Sequence, residues 1–167
     1  MRLMKRWLSG LLCLVLLLGL LPTAALAEGT TADWADPAVK VLNEIYGSGE
    51  SGPFSASTDV ITEGETASIA SSVGWTTTKL TSESSTQLSR SKACAVLAEV
   101  FALPVGGEEN AAITYLYEQN IVNGKSEGEL GAEEPVSFAE FAVLTYRVLN
   151  FVGGGKGTGV EGLKPGT

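Results

Sequence analysis

"NIVNGKSEGELGAEEPVSFAEFAVLTYRVL", residues 120–149, changes character at Pro135. Before the proline it is rich in Gly, Ser and acidic residues. After it comes an apolar run with helical spacing, opened by Ser137-Phe138-Ala139-Glu140. That S-x-x-E pattern is a capping box: the hydroxyl accepts from an orphan amide of the first turn, and the Glu reaches back to the cap's own N–H. Such a cap contributes about 1 kcal/mol. The stretch therefore reads as a connector that ends one helix and starts the next. Asn123-Gly124 is placed to end the first, since both residue types take the left-handed conformation that terminates helices. Counted from Asn123 as a calcium loop, Glu127, Gly128 and Glu134 fall on the right positions. Lys125, however, puts a cation where a ligand oxygen is required.

The same arrangement recurs along the chain. "AVKVLNEIY" (38–46) and "AITYLYEQN" (112–120) carry helical apolar stripes, termed A helices here. Each leads through a Gly-, Ser- and acid-rich loop into a second run, "ITEGETASIASSVGW" from Ile61 and "VSFAEFAVLTYRVLNF" from Val136, the B helices. A third B helix, "LSRSKACAVLAEVFAL" (88–103), aligns with these two. Ile61, Leu88 and Val136 correspond, as do Ile69, Val96 and Leu144, and Val73, Val100 and Val148. The Ser/Thr-rich segment before it offers no A helix. Thr62-x-x-Glu65 forms another capping box, whereas the middle run has Ser89 with Lys92 in place of the Glu. The expected fold is all-α, with two complete helical units (33–75 and 108–151) flanking a reduced one (76–104).

Residues 1–27 read as a signal peptide, with Arg2, Lys5 and Arg6, a Leu-rich core and Ala25-Leu26-Ala27 at the cleavage site. The helical domain is expected over 28–152, and residues 153–167 read as a Gly-rich flexible tail or linker. Removing three basic residues from the chain's 11 leaves 8 against 19 acidic ones, a net charge of −11 for the exported part. No nucleic-acid partner is expected of so acidic a chain. With no His, Ser-His-Asp and Cys-His catalysis and the usual zinc sites are excluded, and no phosphate-cradling Gly loop is present. No enzyme activity, cofactor or metal site is expected. Cys94 falls on an apolar helical face and reads as a small buried hydrophobe. Tyr115, Tyr117 and Tyr146 read as packing residues; Trp34 and Trp75 suit either a small core or stacking on a sugar.

An A helix, "NIVNG", an acidic Gly-containing loop, Pro-Val, an S/T-x-x-E start and an apolar B helix together resemble an S-layer homology repeat. The likeness is fullest over 108–151, looser over 33–75 and limited to the second half of a repeat over 88–103. It implies a compact three-lobed helical assembly that holds exported proteins non-covalently to secondary cell-wall polysaccharides of bacteria, commonly pyruvylated ones. The family's T-R-A-E motif places a basic residue in the grooves between repeats. The matching positions here are Glu63, Arg90 and Phe138, so only Arg90 keeps the basic character. A guanidinium fork suits a sugar carboxylate; Glu63 would repel it. The resemblance thus points to Arg90 as ligand-binding, assisted by Lys92 and Lys125, with Trp75 as a stacking candidate. The plainer reading makes Arg90 an exposed first-turn residue and Lys125 a solvated loop charge. A frame that has lost its saccharide and serves other cell-surface proteins is the alternative.

Overall fold

The computed structural model describes residues 30–47, 52–106, 109–126 and 128–154. The expected signal peptide, all but the first two residues of the expected tail, and Glu127 lie outside them. The fold is all-α. Among the described residues it has five helices and no strand: α1 (Asp36–Tyr46), α2 (Glu63–Ser72), α3 (Arg90–Val100), α4 (Glu109–Glu118) and α5 (Phe138–Val152). α1 and α4 are the A helices, and α2, α3 and α5 the B helices. No helix lies between Ser72 and Arg90.

Each B helix starts where its polar signal stands. The Thr62 hydroxyl accepts from the Glu65 amide while Glu65 accepts from the Thr62 amide at 2.8 Å. Ser137 and Glu140 repeat the exchange, at 3.1 and 2.9 Å. Ser89 makes only the forward bond, from the Lys92 amide at 3.3 Å, because Lys92 has no oxygen to return.

The residues just before these caps meet at a common axis. The Ile61 amide donates to the Val136 carbonyl (3.0 Å), Val136 to Leu88 (3.0 Å), and Leu88 to Ile61 (2.9 Å), which closes a ring of three backbone bonds. All three side chains are buried. A second tier repeats with the same symmetry. The first two amides of α2 donate to Thr86 and Ser84, those of α3 to Glu134 and Ala132, and those of α5 to Asp59 and Ser57. Each helix thus gives its first two orphan amides to the loop that precedes the next one around the axis, where carbonyls meet them. Equivalent positions in the three B helices are therefore equivalent in space as well as in sequence.

The helices that pack are not those consecutive within one sequence unit. α4 lies on α3 and α1 lies on α5, so each A helix covers the B helix of a neighbouring unit. The loops inside units are long and lead away to the axis, whereas the link from α3 to α4 is short and lets those two fold directly on each other. One large core gathers Leu42, Leu97, Ile113, Leu116, Phe141 and Val148; a smaller alanine-lined one joins Ala35 and Ala38 to Ala139 and Val143.

Two expectations about α4 change. It ends at Glu118, and the left-handed residue is Asn120 (φ 59), not Asn123 or Gly124. The Ile121 amide donates back to Leu116 at 2.9 Å, a six-to-one bond that buries Ile121 beneath the helix end and stops it early. Tyr117 is 45% exposed and does not pack, because α4 turns Ile113 and Leu116 inward and Tyr117 away from them. Tyr115 and Tyr146 do pack on the core, and Trp34 is half-buried against the smaller one.

Candidate functional site

Arg90 is the first residue of α3, and its amide is held by the Glu134 carbonyl. That bond sets the side chain against the loop running from Ile121 to Glu134. Arg90 is not an exposed first-turn residue: it is 9% exposed, and its Nη2 donates to the Asn123 carbonyl at 2.6 Å. From the facing helix, Arg147 Nη1 donates to the Ile121 carbonyl at 3.2 Å. The two guanidinium groups thus hold the same loop two residues apart. Between them opens a pocket floored by Val136, Val143 and Leu144 and rimmed by Lys125, Glu134 and Glu140.

The charges of this pocket are unevenly engaged. Lys125 Nζ lies 2.8 Å from Glu134 Oε2 at the exposed rim. The Glu134 carboxyl is held below its ordinary range by the hydrogen bond from Lys125 and then by that residue's charge. Glu140 is engaged in capping Ser137. Arg90 donates to a neutral carbonyl. Burial, followed by the positive charge of Arg90, pulls Arg147 below the usual arginine value. Two like charges are therefore close enough to feel each other in a site that is partly out of water, where the attraction for a bound anion is stronger than at the surface. A guanidinium fork can give a carboxylate two parallel bonds, so the arrangement favours a carboxylate-bearing ligand.

The four residues expected to bind ligand separate in space. Arg90 and Lys125 line this one pocket. Lys92 lies in the groove between the first and second units, where its Nζ is 2.6 Å from Glu63 Oε1. Trp75 follows α2, its amide donating back to Ala70 at 2.8 Å beside left-handed Gly74. Its ring packs with Tyr46, Phe54 and Phe101, the centroids 5.5 to 6.0 Å apart. Arg147 has no counterpart among the four. Its signal in the sequence is a lone cation inside the otherwise apolar run of α5.

Cys94 sits behind Arg90 on α3, fully buried, and burial pushes its thiol up to about 12 against a weaker opposing effect of Arg90. Burial of this kind keeps it in the thiol form at neutral pH, as suits a packing residue.

Residues 105–142 match the model of the S-layer homology domain. No curated protein and no solved structure matches the chain. The matched stretch, well under half of the 167 residues, takes in α4, the loop with Asn123, Lys125 and Glu134, and the capping box of α5. It forms one wall of the pocket, while Arg90 and Arg147 lie on either side of it in the chain. Over these residues the chain is similar to the S-layer homology domain.

Proposed function

We propose that the chain is an exported surface anchor that holds an anionic secondary polysaccharide of the bacterial cell wall in the pocket between its second and third units. Arg90 takes the sugar's carboxylate and Lys125 assists from the rim. The observation that carries this reading is the buried Arg90 guanidinium, which faces a pocket whose carboxylates are held by Lys125 and by the Ser137 cap. Export is supported by the basic start, Leu-rich core and Ala25-Leu26-Ala27 of the first 27 residues. Pyruvylated sugars fit, because a pyruvate ketal presents a carboxylate on a compact apolar carbon frame, and Val136, Val143 and Leu144 supply an apolar floor.

The second reading, a helical frame that serves protein partners, is favoured by Glu63 and Phe138, which remove the basic residue from two of three equivalent positions. Co-sedimentation of the purified protein with bacterial cell walls separates the two. The anchor reading expects binding to intact walls, weakened by salt, and none to walls stripped of secondary polysaccharide. Equal binding to stripped walls, or none to walls of several types, would leave the protein-partner reading standing.

A further inference from the structure

The ring of Ile61, Leu88 and Val136 makes the grooves comparable residue by residue. In the groove between the second and third units, the first residue of the leading helix is Arg90, the third of the following helix is Glu140, and the tenth of that helix is Arg147. In the groove between the first and second units, the same three places hold Glu63, Lys92 and Glu99. All three charges are reversed.

The reversal extends to the contacts. Where Arg147 donates to the Ile121 carbonyl, Glu99 accepts from the Thr78 amide and from the hydroxyls of Thr77 and Thr78. Glu63 is 7% exposed and in contact with Lys92 at 2.6 Å. A buried carboxylate without that partner would be costly. Placing a lysine there removes the carboxylate that would complete the Ser89 capping box, so the middle helix forgoes the reciprocal bond that both of its counterparts have. Lys92 and Glu63 therefore belong together as one substitution of the groove's polarity.

We infer that the first groove is a saccharide site filled from within: Glu63 supplies to Lys92 the carboxylate that the ligand supplies to Arg90 in the second groove. Glu63 and Lys92 accordingly decide which groove is open, and the chain takes one anionic chain segment rather than two. This rests on the anionic-saccharide reading above, and the test separates the two.

Secondary wall polysaccharide, fractionated to short chains, is titrated calorimetrically into the purified protein and into the double variant Glu63→Arg/Lys92→Glu. The double variant puts an arginine where Arg90 stands in the second groove and a carboxylate where Glu140 caps Ser137, so that carboxylate is drawn into the Ser89 box, and its melting is followed in parallel. Glu63→Gln, which frees the Lys92 ammonium without adding a charge, provides a second variant. The expected result is one equivalent bound by the wild type and two by each variant. One equivalent in all three proteins overturns the inference while the functional reading stands, and two in the wild type also overturns it. None in the wild type with one in the variants overturns the functional reading and retains only the part of the inference in which Glu63 closes the first groove. None throughout overturns both.

Discussion

Around Leu88 and around Val136 the backbone behaves identically: each residue closes one side of the axial ring, and each is followed by a serine cap and two amides given to the next loop. The side chains two and four residues further on differ in charge. Beyond Leu88 stand Arg90 and Lys92; beyond Val136, Phe138 and Glu140. The difference shows that this fold separates its frame from its recognition surface. Backbone bonds at the axis ask only for small or apolar residues and a cap, so the charges in the grooves are free to vary without loss of the three-lobed arrangement. Two grooves with one geometry can then carry contrary polarity.

The largest effect is expected where the two regions share a part. Leu88→Ala removes a fully buried side chain from the ring and should cost about 2–5 kcal/mol in urea denaturation. The pockets on both sides should loosen together. Disorder confined to one of them, read from amide exchange, would break the comparison at its root.

Next comes the polarity of the first groove. Lys92→Glu alone sets a second carboxylate against buried Glu63. With Lys92 a quarter exposed and so partly screened, the expected cost is about 1–3 kcal/mol. Adding Glu63→Arg should recover most of it, and a double-mutant cycle with no coupling would show that the pair is incidental.

The caps give a finer contrast. Ser137→Ala should lower stability by about 1 kcal/mol and Ser89→Ala by less, since only the former breaks a reciprocal box. Equal losses in thermal melts would mean that Lys92 costs the middle helix nothing.

The smallest effect concerns Glu99, whose carboxyl is held below its ordinary value first by the Thr77 hydroxyl and then by Thr78. A depressed carboxylate contributes stability that is fully present above its unfolded pKa and lost as pH falls through the folded one. The Thr77–Thr78 loop should therefore release in acid below the ordinary Glu range, seen as a shift of the Thr78 amide resonance. Glu99→Gln should abolish that pH dependence, whereas Arg147→Gln at the equivalent place should leave it intact.

Much of the frame was legible because it is written in local signals. Thr62, Ser89 and Ser137 marked three helix starts, and the spacing of apolar residues after them put Ile61, Leu88 and Val136 in register before any ring was visible. The missing A helix of the middle unit followed from the Ser/Thr-rich segment preceding Leu88. What could not be read is non-local. Nothing in a sequence unit says that α1 packs on α5 rather than on α2, since that choice is made by loop length and by the axis. Glu63 and Lys92 stand 29 positions apart, and their pairing shows only once the units close around each other. Arg90 looked exposed because a helix's first turn usually is; the Glu134 carbonyl that draws it inward belongs to another unit. The end of α4 was misplaced because Asn120 supplies the left-handed turn before Asn123-Gly124 is reached.

The account stands most directly on Arg90. Binding of secondary wall polysaccharide should be measured by calorimetry for the wild type, Arg90→Lys and Arg90→Gln, each at a temperature well below its own melting point. The account predicts detectable binding by the wild type, a loss of about tenfold or more for Arg90→Lys, which keeps the charge but not the fork, and no measurable binding by Arg90→Gln. Unchanged affinity in Arg90→Gln would contradict it and place recognition outside this pocket.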